Sequence, residues 1–106
     1  EYVYSASYGA GKAAVDRMAQ DFAVELKDHN VCAVSLSPSK VKTEFILDMV
    51  RQGKIQLDLT EAQSVRFSGR AIAALADDPN LMTKSGGIYT VSEIAEIYGV
   101  VDPDNE

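Results

Sequence analysis

The chain is short of cysteine, of basic charge and of long apolar runs, and each shortage removes a class of protein. Cys32 is the single cysteine among 106 residues, so no disulfide framework can form within one chain, which fits a reducing compartment. It lies inside the apolar run "VCAVSL", where a small buried thiol is the expected role and no nearby partner suggests a metal ligand or a nucleophile. Lys and Arg number 10 against 16 Asp and Glu, a net charge of −6 with the acids scattered along the chain, which disfavours nucleic-acid binding. No segment approaches the roughly 20 apolar residues of a membrane-spanning helix. No basic region followed by an apolar core opens the chain, and its first residue is Glu1, not methionine. The expectation is therefore a chain that continues upstream, where any targeting signal would lie. Cytoplasm, or the cytoplasm-facing surface of an organelle membrane, is the expected location. There is no internal repeat and no low-complexity segment.

What is present reads as an ordered α/β chain. Hydrophobic residues make up 46% and charged residues 25%, close to the globular average, so folding is expected over most of the length. Such a length suits one small domain, or part of one, and is at the low end for an enzyme site plus a dinucleotide pocket. Ala14, Val15, Met18, Ala19, Phe22, Ala23 and Leu26 recur at steps of three and four, the stripe of a long amphipathic helix. Ser7 is its expected N-cap and Asn30 its left-handed stop. "VCAVSL" then reads as a strand buried on both faces of a parallel sheet. A short helix through Glu44, Phe45, Ile46, Met49 and Val50 is expected to be capped by Thr43 and ended at Gly53. A further helix runs to Ala76, with Thr60 as a possible cap, until "DDPN" breaks it. A second strand is expected over Ile88 to Val91, then one helical turn from Ser92 and a frayed acidic tail, about residues 99–106. Two strands of this kind cannot form a stable parallel sheet alone, so the order suggests one end of a larger doubly wound domain.

One stretch carries chemistry. In "YSASYGAGKAA" Tyr8 and Lys12 are four residues apart, so on a helix they leave the same face one turn from each other. A phenol exchanges protons near neutral pH only if its anion is favoured, and a neighbouring ammonium does that. Spacing alone does not separate this from coincidence. Tyr2 and Tyr4 have no lysine at that distance and are expected to be packing or surface residues.

The surroundings add to the pair. "YGAGKAA" at Tyr8 to Ala14 resembles the Tyr-x-x-x-Lys signature of the short-chain dehydrogenases/reductases. "PSKVKT" at Pro38 to Thr43 resembles that family's Pro-Gly-x-Val-x-Thr loop, and "GGIYTV" at Gly86 to Val91 resembles its final core strand. The resemblance covers nearly the whole chain in the right order. It implies the C-terminal portion of a single NAD(P)-binding Rossmann-fold domain spanning 1–106: α/β, a doubly wound parallel sheet in three α/β/α layers, incomplete without upstream strands. It implies an oxidoreductase moving hydride between nicotinamide and a carbonyl or alcohol substrate, with NADP favoured slightly over NAD and no metal.

By the same resemblance, Tyr8 would be the general acid/base and Lys12 would assist it and hydrogen-bond the nicotinamide ribose. Pro38 would shape the loop beside the nicotinamide, the Val41 backbone would meet the carboxamide, and the Thr43 hydroxyl would hold the same end. Ser39 stands where the family has glycine, which puts the close backbone approach at this loop in question. The phosphate-binding turn and the active-site Asn and Ser would precede Glu1, leaving half an active site here. Residues 44–63 fall where the family has its substrate lid, with Phe45, Met49, Ile55 and Leu57 as substrate contacts or as ordinary packing. The Ala14 to Leu26 stripe would be core or the contact surface of a homo-oligomer. The partners implied are a small carbonyl or alcohol substrate, the N-terminal Rossmann half and a second copy. The alternative is a catalytically inactive fragment or a domain-swapped interaction module lacking the phosphate site.

Overall fold

A computed structural model describes residues 5–38, 44–54 and 63–103. The order is α1 (Ala6–Leu26), a 3-10 turn (Lys27–His29), β1 (Ser35–Ser37), α2 (Glu44–Arg51), α3 (Val65–Ala76), a 3-10 turn (Leu81–Lys84), β2 (Ile88–Thr90) and α4 (Val91–Tyr98). The chain forms two compact units, one of Glu1–Leu36 with Pro79–Tyr89, the other of Ser37–Asp78 with Thr90–Glu106.

In the first unit α1 starts earlier than the serine pattern suggests. Ser5, not Ser7, is the N-cap: its backbone is extended and its Oγ accepts from the Tyr8 N–H at 3.1 Å. Ser7 already lies within the helix and shares a hydrogen bond with Ser5. The far end follows expectation, with Asn30 in the left-handed region at φ 57°. Its N–H donates to the Lys27 carbonyl and that of Val31 to the Leu26 carbonyl, which satisfies two of the acceptors a helix end leaves open.

The two strands pair side by side and run parallel: the Gly86 N–H donates to the Ala33 carbonyl at 2.7 Å and the Ser35 N–H to the Gly87 carbonyl at 3.0 Å. The glycine pair is required here. Gly86 sits at φ 84°, and a Cβ built on it would lie 3.4 Å from that of Ala23 in α1. One on Gly87 would lie 2.4 Å from the Tyr89 ring and 2.9 Å from the Lys84 carbonyl oxygen.

The strands are shorter and more open than "VCAVSL" suggests. Ser35 is buried, but Val31 is exposed and β2 alternates exposed, half-buried, exposed. Among the described residues only two strands pair, and of their residues only Ser35 is buried. Cys32 is likewise half-buried, its thiol donating to the Leu81 carbonyl at 3.5 Å.

The second unit holds the larger apolar core. Phe67, Ala71 and Leu75, four apart on α3, are buried, and α3 packs on α4, where Val91 and Ile94 are fully buried and Ala95 nearly so. Burying side chains such as Val91 and Ile94 contributes about 1.5–3 kcal/mol each. Ser64 caps α3, accepting from the Phe67 N–H; Thr60 lies outside the described residues and four positions before that cap. The Ser64 N–H and Oγ both donate to the Asp102 carboxylate, at 2.8 and 2.5 Å. The tail is thus tied down at Asp102, and residues 104–106 lie outside the described part.

After β2 comes a full helix and not one turn. Thr90 ends the strand and opens α4 with a capping box: its hydroxyl accepts from the Glu93 N–H while the Glu93 carboxylate accepts from the Thr90 N–H. Val91, expected in the strand, is the first helical residue. α2 ends as expected at Gly53, with φ 72° and the Lys54 N–H bonded back to the Met49 carbonyl.

Candidate active site

Tyr8 and Lys12 sit in the opening turns of α1, in the first unit. The helix brings them together as their spacing requires: the Lys12 Nζ lies over the Tyr8 ring, 5.5 Å from its centroid, within cation–π range. Tyr8 is 43% exposed and Lys12 is exposed too. The phenol can donate or accept one hydrogen bond and the ammonium can donate three, so an incoming ligand would meet both on one face.

The other expected site residues are divided. Pro38, in the second unit, is exposed just after β1. Val41 and Thr43, with Ser39, lie outside the described residues, as do Ile55, Leu57, Tyr2 and Tyr4. Of the apolar residues expected in a lid, Phe45 is 70% exposed and Met49 is half-buried on the amphipathic α2. His29 is exposed in the turn after α1. Among the described residues no three His, Cys, Asp or Glu side chains converge as metal ligands do, and no helix is long and apolar enough to cross a membrane.

One pair lies outside the expectations from sequence. Ser35, 5% exposed at the start of β1, donates its hydroxyl to Asp16 Oδ1 at 2.5 Å. Asp16 is one turn past Lys12 and two past Tyr8, hence on the same side of α1. Its signal in the sequence is an acid placed among the apolar positions Val15, Ala19 and Ala23.

Against known proteins, the chain is 36% identical to Dehydrogenase/reductase SDR family member 1 of Mus musculus over 98% of its own length and 36% of the relative's. With the Homo sapiens protein of the same name the identity is 34% over the same shares. The chain belongs to the short-chain dehydrogenase/reductase family. It spans about a third of the length of the curated relatives it matches, and no family model matches it. For a short-chain dehydrogenase/reductase chain, a tyrosine and a lysine stacked one turn apart on an exposed helix start is the arrangement on which a chemical reading can be built.

Proposed function

We propose that this chain is the C-terminal part of a single Rossmann-type domain that works as an NAD(P)-dependent oxidoreductase on a carbonyl or alcohol compound. The observation that carries the reading is the Tyr8–Lys12 pair: exposed, on one helix face, in a chain related over nearly all its length to dehydrogenase/reductase proteins. The described residues fit a nicotinamide dinucleotide as far as they reach. Two hydrogen-bonding side chains project together from exposed helical turns, and the proline that would border the nicotinamide is exposed as well.

When bound, the nicotinamide would supply or accept hydride. In reduction Tyr8 gives its phenolic proton to the carbonyl oxygen as the carbonyl carbon gains hydride, and recovers a proton from solvent. In oxidation it takes the hydroxyl proton. Lys12 stabilises the negative charge left on the Tyr8 oxygen and donates to the nicotinamide ribose. Pro38, the Val41 backbone and the Thr43 hydroxyl hold the nicotinamide end, residues 44–63 cover the substrate, and upstream chain completes the three-layer sheet. NADP is the favoured cofactor, and the working protein is a homo-oligomer, with the exposed Val15, Met18 and Phe22 of the α1 stripe in its contact surface and Ala19 in the core of the chain's own unit.

Titrating the full-length protein with NADPH and with NADH, read by nucleotide fluorescence, tests this reading. Saturable binding of at least one, weakened by Lys12→Met, is the expected result; failure to bind either rejects it. Light scattering of the same sample should give a mass above that of one chain. A second reading, a non-catalytic fragment, draws on the open strands and the exposed Val15, Met18 and Phe22. Under both readings the 106-residue chain alone should bind the dinucleotide negligibly in calorimetry.

A further inference from the structure

In the second unit α3 and α4 are joined by polar ties at both ends as well as by their apolar core. At the helix starts Gln63 Nε2 donates to Ser92 Oγ at 2.9 Å, and at the far ends the Tyr98 phenol donates to the Asp78 carboxylate. Start meets start and end meets end, so the two helices lie side by side in the same sense. Between the ties Phe67, Ala71 and Leu75 of α3 and Val91, Ile94 and Ala95 of α4 are buried.

The chain then reverses. Gly99, at φ 68°, ends α4, and the Val100 N–H donates to the Ala95 carbonyl at 2.8 Å. By Asp102 the chain is back at the start of α3, where the carboxylate accepts the Ser64 N–H at 2.8 Å and the Ser64 hydroxyl at 2.5 Å. Residues 99–102 therefore form a strap from the ends of the helix pair to its starts. A hydrogen bond to a carboxylate is roughly twice as strong as a neutral one, and Ser64 is buried. Every one of these contacts lies within one unit, and further chain packed on that unit adds cover to them.

A second observation opposes the strap. Gln63 is only 9% exposed, and its buried Oε1 has no hydrogen-bond partner among the described residues. A buried acceptor left unmatched keeps the full cost of losing its water, and that cost is returned when the group reaches solvent. Asp102 thus holds the start of α3 closed, while Gln63 beside it favours opening.

We propose that residues 99–102 are a releasable clasp on the start of α3. With Asp102 on Ser64 the first turn is closed; on release the stretch from Gln63 to Phe67 opens while the remaining core of α3 and α4 stays packed. The clasp stands on the contacts of the second unit and holds whether or not the oxidoreductase reading does. Under that reading it fixes the point at which the substrate-covering stretch, residues 44–63, ends.

Amide hydrogen exchange of the full-length protein tests this. The informative amide is Phe67, whose bond goes to Ser64 and not to Asp102. Asp102→Ala should speed its exchange by about tenfold or more while residues 71–76 and 91–98 keep their rates, because local opening is read segment by segment. Asp102→Asn, which keeps an acceptor for Ser64, should fall between the unaltered protein and the alanine variant, and it carries the test if the alanine variant does not fold. Gln63→Met combined with Ser92→Ala removes the unmatched acceptor and the side chain tied to it together, and should slow Phe67 exchange several-fold. Unchanged Phe67 exchange in both Asp102 variants, a rise spread evenly through α3 and α4, or Phe67 exchange in the Gln63→Met, Ser92→Ala variant that is unaltered or faster would overturn the proposal. Dinucleotide titration of the unaltered protein judges the oxidoreductase reading separately, since the exchange result needs no cofactor.

Discussion

A carboxylate or a glycine here matters through what it touches, and single residues are legible in the sequence only where their role is local. Asn30 is legible because a left-handed stop depends on its own backbone and the turn before it. Asp16 is not, because its partner Ser35 is 19 residues away and only the folded unit brings them within 2.5 Å. Gly87 is of the second kind as well: its need for no side chain comes from the Tyr89 ring and the Lys84 carbonyl. Gly87→Ala should therefore destabilise the protein by about 1–3 kcal/mol, the usual cost of forcing extra volume into a filled site. Chemical denaturation of the full-length protein measures this, and an unchanged midpoint would show that the turn yields without cost.

At the scale of elements, the helices are easier to read than their limits, and the strands are harder still. The α1 and α3 stripes are visible as three- and four-residue steps, but the serine that caps each helix depends on backbone geometry, so Ser5 displaces Ser7 and Ser64 stands as the cap of α3 in place of Thr60. In "GGIYTVSE" a strand pattern and a capping box overlap, and the box prevails from Thr90 onward because it satisfies two backbone donors at once. Strand burial is not legible at all, since it depends on neighbours and not on the strand's own residues. Two measurements follow from the α3–α4 pair. Thr90→Ala removes the cap's acceptor and should cost about 1 kcal/mol; Ile94→Ala empties a fully buried position and should cost about 2–5 kcal/mol. Urea unfolding of both variants should rank them in that order, and the reverse order would mean that the cap, not the core, holds α4.

For the whole molecule, family membership is written in short motifs that need no fold to be seen. Tyr8 with Lys12, the proline loop and the glycine-led second strand resemble the motifs of the family to which the relatives matched over 98% of the chain belong. Folding adds a physical setting: an exposed tyrosine and lysine one turn apart at the start of α1, the lysine ammonium over the tyrosine ring. Under the proposed function the remaining parts of a dinucleotide site belong to upstream chain or to residues 39–43, which leaves the proton-transfer pair to carry the chemistry here. The most direct measurement is turnover of the full-length protein with Tyr8→Phe, alongside its dinucleotide affinity. The ring and its stacking with Lys12 survive in that variant, and only the phenolic hydroxyl with its exchangeable proton is lost. Turnover should fall by about 10²- to 10⁴-fold, the usual worth of a general acid, with dinucleotide affinity retained. Turnover within a few-fold of the unaltered protein would contradict the account.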